Sequence, residues 1–424
     1  MKYDLNDKPG IVPMLLYGLQ WWAVSIPSVI IMGTVVAAIH STSFTEQVFF
    51  MQKLFGLMGV TTIVQILWGH RLPLVIGPAS VLLIGIVSSA SVGIPAIYTS
   101  IIIGGLILSI VAYSGLLRRI QPVFTPRVVT VILMLIAITL SPVILNLIVS
   151  GTEHASFNFI YALALVFILV FVNKKLNGIW KSTTIIWGML FGSIIYFFIY
   201  GFPELQQFDT SKKLSFILPS FELNMGTLLS FLFCFVALIV NELGSIEGLG
   251  QMIKADNIVN RTKRGVGILG LSNIFSGAMG IIGPVDFSLS AGIISSTKCA
   301  SRYTLIPAGI GLVFCAFFPS MIGLLINIPG VVMGCIMLYL MASQLSSGLN
   351  MVMKENAISN FNHGIIVGLS LMIALLVSFV PKEVFSGIPA ILHPILSNGF
   401  VMGVISVLIL EHLVFKEKKS DNAL

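Results

Sequence analysis

The sequence predicts an all-α polytopic membrane protein of about fourteen segments, arranged as seven plus seven inverted repeats. Three observations carry that expectation. Of 424 residues, 57% are hydrophobic and only 9% charged, with mean hydropathy +1.03, whereas a soluble domain carries roughly 25% charged residues. Apolar runs recur at a length near the roughly 20 residues that cross a bilayer core of about 30 Å. Alternating those runs across a membrane puts almost all basic residues on one side, as cytoplasmic loops require.

Taken in order, the runs of the first half cover 13–38, 48–68, 73–90, 95–117, 126–149, 156–173 and 182–201. Those of the second cover 227–250, 265–282, 286–298, 303–326, 329–349, 362–380 and 389–413. The polar opening MKYDLNDKPG is expected to be a cytoplasmic lead-in with no cleaved targeting segment and no soluble domain. The division is therefore 1–202 for the first repeat, 203–226 for an extracellular connection, 227–414 for the second repeat and 415–424 for a cytoplasmic tail. With both ends inside, nineteen of the 23 Lys and Arg residues fall on the inner side. Lys212, Lys213 and Lys382 fall outside, and Lys53 sits near a helix.

The third run of each half is irregular. One opens with LPLVIGPAS and the other follows GAMGIIGPV, placing Gly77-Pro78-Ala79 and Gly283-Pro284 where a helix should run. Proline removes a backbone donor and clashes with the preceding turn. Within lipid, such a break survives only where protein or a cavity surrounds it. Interrupted segments at matching positions of two halves point to a solute-binding site.

The net charge of +7 reads as membrane topology, because no basic patch is interleaved with aromatics as a nucleic-acid surface needs. Cys234, Cys299, Cys315 and Cys335 form no CxxC pair and the histidines are scattered, so metal and disulfide chemistry is not expected. Ionisable groups deep in a membrane are costly and mark function. Of sixteen acids, Glu242, Glu247 and Asp286 stand out. Glu242 borders the helix face shared by Asn241 and Ser245, and is the first candidate for a coupling proton. Asp286 opens the broken tenth run and is the second candidate. The backbone N–H groups of Phe287, Ser288, Leu289 and Ser290 should point at the same cavity. Glu247, closer to the inner side, suits an ion pair. Gln20 and Trp21 lie deep in the first run. Structural roles are expected for His70, His154, His393 and Asn398.

At these positions the chain resembles the nucleobase–ascorbate transporter family, which includes uracil and xanthine permeases. The likeness rests on Gly18-Leu19-Gln20-Trp21, on Asn241-Glu242-Leu243-Gly244-Ser245, and on Gly292 followed by Thr297-Lys298. FTPRVV, IPGVVMGCIMLYL and ILSNGF add to it. The resemblance implies a core domain from segments 1–4 and 8–11, a gate domain from segments 5–7 and 12–14, and segments 3 and 10 built as a short strand plus a half-helix. It also implies a nucleobase substrate, a purine before uracil, moved by proton symport with no cofactor, although some relatives use sodium. This chain departs from the family pattern where Asn241 replaces a glutamate and where Leu289 and Ser290 replace the usual polar pair. Trp21 stands in place of a histidine. Trp21 or Phe287 is expected to stack on the base, with Gln20, Asn241 and Glu242 bonding its edge. The expected setting is the plasma membrane, as a multi-pass protein able to form a homodimer through its gate. The rivals are a sulfate-permease-like anion transporter on the same fold and, further off, a channel or membrane enzyme.

Overall fold

The computed structural model describes residues 1–149, 154–203, 215–218, 220–287, 290–385, 387–389 and 391–416. The first half runs α1 (Ile11–His40), α2 (Phe44–Leu67), β1 (Val75–Pro78), α3 (Ser80–Ser88), α4 (Ile94–Tyr113), α5 (Leu116–Ile120), α6 (Pro126–Thr139), α7 (Ser141–Val149), α8 (Ala155–Lys175), α9 (Gly178–Ser182) and α10 (Thr184–Tyr200). The second runs α11 (Met225–Met252), α12 (Ile258–Ala278), β2 (Pro284–Phe287), α13 (Ser290–Thr297), α14 (Leu305–Cys315), α15 (Pro319–Ile326), α16 (Gly330–Lys354), α17 (Phe361–Phe379), α18 (His393–Leu396) and α19 (Gly399–Ile409).

Among the described residues, eight helices are long and apolar enough to cross a membrane. A ninth is gained if α14 and α15, bent by 91° at their junction, count as one span. The chain is thus a mostly helical, multi-pass membrane protein. Lengths fall short of a span where the expected segments are split. The third and tenth segments are strand plus short helix, whereas Pro126–Val149, although interrupted at Leu140, still counts among the eight.

Those two strands pair antiparallel, with Val75 opposite Phe287, Ile76 opposite Asp286, Gly77 opposite Val285 and Pro78 opposite Pro284. The pairing answers the backbone problem of an interrupted helix in lipid, because each break satisfies the other's N–H and C=O groups. Ala79 N–H extends the contact by donating to Gly283 O at 2.9 Å.

The helices pack as two groups. One joins α1, α2, α4, α11, α12 and α14, and the other joins α6, α7, α8, α16, α17 and α19. In the first, α4 and α12 approach so closely that a methyl group at Gly270 would meet Gly105 O at 2.7 Å, and one at Gly277 would meet Tyr98 O at 2.9 Å. Small residues let membrane helices bring backbones together. Gly270→Val is expected to lower stability by about 1–3 kcal/mol, the usual cost of overpacking. A fall in the melting temperature of purified protein tests this, and an unchanged value would count against close α4–α12 packing.

The sequence motifs that open helices also become intelligible here. In FTPRVV, Thr125 caps α6 by accepting from Val128 N–H, with Pro126 at the first position. In ILSNGF, Asn398 caps α19 by accepting from Val401 N–H at 3.2 Å. Its amide also reaches out of its own helix group, donating to Ser88 Oγ on α3 at 3.0 Å and to Ser230 Oγ on α11 at 3.2 Å. Asn398 therefore ties the two groups together.

Candidate binding cavity and the carboxyl cluster behind it

A cavity of about 380 Å³ opens between the two helix groups. One wall comes from α1 (Val24, Pro27, Ser28, Met32), α3 (Ser80, Val81), Asn241 of α11, Val285 and Phe287 of β2, and Gly292 of α13. The other comes from Ile136 of α6, Ile185 of α10, and Leu340, Met341, Ser343, Gln344 and Ser347 of α16. Among the described lining residues, none carries a charge. The polar groups are serines and two carboxamides.

Phe287 is held in place by a glycine. A methyl group at Gly77 would come within 2.5 Å of the Phe287 ring, and within 3.0 Å of Ser28 Oγ. The absence of a side chain at Gly77 thus leaves room for the ring, which reaches diagonally over the strand pair from its position opposite Val75. Asn241 donates through Nδ2 to Asp286 O at 2.9 Å, and Ser245 Oγ donates to the same oxygen at 3.4 Å. That leaves the Asn241 side-chain oxygen as the acceptor available to the cavity.

Glu242 and Asp286 do not line the cavity. Both are fully buried behind it. Asp286 N–H donates to Glu242 Oε2 at 3.3 Å, while Glu242 Oε1 and both Asp286 side-chain oxygens have no hydrogen-bond partner among the described residues. Asp286 Oδ2 lies 3.2 Å from His70 Nε2, and both side chains are completely enclosed. The direct ligand contact expected of Glu242 is corrected accordingly: Asn241, one residue earlier, is the group that faces inward. At about 100° per residue, the two side chains of neighbouring positions point to different sides of the helix.

Trp21 is also displaced from the role expected of it. It is 2% exposed, and its indole N–H donates to Thr304 Oγ1 at 3.0 Å. The indole closes a small apolar cluster with Ile66, Leu72 and Leu305. Gln20 is buried nearby with its amide nitrogen unpartnered among the described residues, and it too lies outside the cavity lining. Gly77 and Pro78 sit in β1 and Ala79 just after it, where they shape the strand pair rather than the cavity surface. Ser290 Oγ accepts from Val75 N–H at 2.9 Å and donates to Phe287 O at 2.8 Å, fastening the two strands at their open end. Ser288 and Leu289 lie outside the described residues.

Of the Gly292, Thr297 and Lys298 motif, only Gly292 reaches the cavity. Thr297 caps the end of α13 by donating to Ile293 O at 2.9 Å, and Lys298 takes a left-handed conformation with φ of 58°. The chain's opening residues dock on this turn. Lys2 N–H donates to Lys298 O at 2.7 Å, and Ser301 Oγ donates to Asp7 O at 2.6 Å.

Two groups of residues were not singled out from the sequence. Ser343, Gln344 and Ser347 of α16 carried a signal, since ASQLSSG is a polar patch in an apolar run. His70 carried none beyond its closeness to the break. Its loop is pinned by Arg261, which donates to His70 O at 3.1 Å and to Arg71 O at 3.0 Å. Arg261 also bonds Asp256 at 2.7 Å on the exposed turn after α11, and its guanidinium holds that carboxyl below the usual carboxylate range.

The profile of the Permease family, the xanthine/uracil permeases, matches residues 13–383. This chain belongs to that family. It is 28% identical over 383 residues to the nucleobase transporter PlUacP of Paenibacillus larvae, covering 86% of each chain. It is 23% identical to the xanthine permease of Bacillus subtilis over 97% of this chain and 96% of that one. With the uric acid transporter UacT of Escherichia coli it shares 23% identity over 83% of this chain and 76% of that one. Among solved structures, the transmembrane domain of the cyanobacterial bicarbonate transporter BicA superposes with a TM-score of 0.63 at 15% identity, covering 86% of this chain and 95% of that one. That likeness concerns fold. The permease is a membrane transporter and not an enzyme.

Proposed function

We propose that this permease is a secondary active transporter that imports a nucleobase, a purine before uracil, by proton symport and alternating access. The observation that carries the reading is the uncharged cavity. A neutral, planar heterocycle needs an aromatic face and a few carboxamide or hydroxyl partners, and Phe287, Asn241 and Gln344 supply those types around a volume suited to a small molecule. The relatives named as nucleobase, uric acid and xanthine carriers support the same substrate class.

In this reading the first helix group is the core domain and the second the gate, within fourteen segments paired as inverted repeats. The cavity lies between them, and one group rocks or slides against the other around it. The basic-residue bias supports cytoplasmic termini in the plasma membrane. The gate face is our choice for a homodimer contact. Glu242 and Asp286, enclosed behind Asn241, are the candidates for the proton.

The shared fold makes an anion transporter the second reading, because α3 begins at the cavity wall and a helix N-terminus favours negative charge. The lining argues against it. No cation faces the cavity among the described residues, and two carboxyls stand behind one wall. Uptake by proteoliposomes under an inward proton gradient, assayed with radiolabelled purines, uracil, sulfate and bicarbonate, separates the two. Accumulation of a base is expected. Flux of an anion that purines do not inhibit would overturn the proposal.

Phe287→Ala sharpens the test. Base–aromatic stacking is worth about 1–3 kcal/mol by alanine substitution, so the dissociation constant should rise roughly 5- to 150-fold. An unchanged constant in a titration of purified protein would remove Phe287 from the binding surface.

A further inference from the structure

We infer that Asn398 is the latch of an outer gate: its amide holds the two helix groups together beside a second cavity, and its release joins that cavity to the substrate cavity. The inference rests on the alternating-access reading above, with cytoplasmic termini.

The second cavity, of about 490 Å³, lies on the same seam between the helix groups. Ser80 and Val81 of α3 and Ile136 of α6 line the first cavity, while Ile84 and Ser88 of α3 and Thr139 of α6 line the second. Three residues advance a helix by about 4.5 Å. The two spaces are therefore stacked along α3 and α6, less than one turn apart. At their boundary Val81, Ile84, Ile136 and Leu140 belong to one buried apolar cluster. The first cavity extends toward the basic, inner side, through Ile185 at the start of α10 and Ser347 in the half of α16 that ends at Lys354. The second takes the opposite ends of its helices, with Ser88 closing α3, Val377 near the end of α17 and Asn398 just before α19.

Two contacts hold this outer end shut. The first is the carboxamide, whose Nδ2 donates to Ser88 Oγ at 3.0 Å and to Ser230 Oγ at 3.2 Å. The Ser88 hydroxyl spends its own hydrogen on Gly85 O at 3.1 Å, which leaves its lone pairs to accept. Asn398 and Ser230 are both buried. An amide that loses its acceptors here is left unsatisfied, whereas in an opened cleft water supplies them, so removing the acceptors favours the open form. The second contact is backbone against backbone. A methyl group at Gly226, at the outer end of α11, would overlap Ile391 O in the turn before α18. Sliding one helix group past the other requires both contacts to part. Asn398 also caps α19 by accepting from Val401 N–H through Oδ1, so replacing it would mix loss of the latch with loss of the cap. Removing its two acceptors isolates the latch.

The test reads cysteine accessibility. All four native cysteines are buried, so an introduced one is the reactive thiol. Ile84→Cys, in the second cavity, is labelled in intact cells with a membrane-impermeant trimethylammonium methanethiosulfonate. Ser347→Cys, in the first, is labelled in inverted vesicles with the same reagent. In each background the outer end is loosened in two ways: by Ser88→Ala together with Ser230→Ala, and separately by Gly226→Ala. Loss of the two hydrogen bonds should raise the labelling rate at Ile84→Cys about tenfold and lower the rate at Ser347→Cys. Gly226→Ala should shift the two probes in the same opposite directions, and a response to the serine pair alone still upholds the latch. Unchanged labelling of Ile84→Cys in the serine pair overturns the inference, and a response to Gly226→Ala alone assigns the closure to backbone packing instead of Asn398. A rise at both probes together also overturns it, since that reports loosened packing and not a switch. Labelling of Ser347→Cys in intact cells but not in inverted vesicles overturns the sidedness of the alternating-access reading itself instead.

Discussion

Glu242→Gln should reduce proton-driven accumulation to simple equilibration. Each pH unit across a membrane is worth about 1.4 kcal/mol per proton, a factor of ten in concentration. A one-proton symporter under a gradient of about two units can therefore sustain roughly a hundredfold accumulation. Glutamine occupies nearly the same volume and retains an acceptor for Asp286 N–H, which now reaches Glu242 Oε2 at 3.3 Å. The substitution thus removes the titratable proton with little change in packing, and the ratio of internal to external base should fall to about one. Measured accumulation under an imposed gradient decides the matter. A variant that still concentrates its substrate in step with the gradient would exclude Glu242 as the carrier. Because Glu242 is enclosed rather than lining the cavity, affinity for the base should change far less than the accumulation ratio.

The largest loss of stability should follow removal of Arg127 or Glu411. Arg127 Nε donates to Glu411 Oε2 at 2.8 Å and to Oε1 at 3.0 Å, with side chains 17% and 3% exposed. The Arg127 NH1 group lies 3.1 Å from His363 Nε2. The cluster joins the start of α6, the start of α17 and the turn after α19, three helices assigned to the gate. Breaking a buried pair from one side leaves an uncompensated charge and costs about 3–5 kcal/mol, whereas replacing both partners by apolar groups is often near neutral. Arg127→Leu should therefore lower the melting temperature of the purified protein sharply, and Arg127→Leu with Glu411→Leu should recover most of it. Equal melting of wild type and single variant would mean that this pair does not hold the gate together.

Much of this was legible from residues alone. Lipid as solvent, the positions of the long helices and the two interrupted segments all follow from apolar length and from Gly-Pro placement, since backbone hydrogen bonding leaves few ways to cross a bilayer. Asn241 was a candidate from its helix face, Phe287 from the broken tenth segment and Gly292 from the family resemblance, and all three reach the cavity. Local rules stop there. Whether Glu242 or Asn241 faces the cavity depends on how α11 is rotated against β2, which neighbouring elements decide. Arg127 and Glu411 are 284 positions apart, and each alone resembles a loop or helix-end charge. His70 looked like an ordinary loop histidine until the strand pairing brought Asp286 across to it from 216 residues away.

Sequence by itself determined the solvent, the long apolar helices, the two interrupted segments, the family and the presence of costly buried acids, because each depends on composition or on spacing along one chain. Tertiary structure alone decided which polar groups meet. The uncharged wall shared by Asn241 and Gln344, the enclosure of Glu242 behind it, and the approach of His70 to Asp286 all arise from contacts between the two halves. No periodicity in a single chain segment encodes how far one helix is turned toward another.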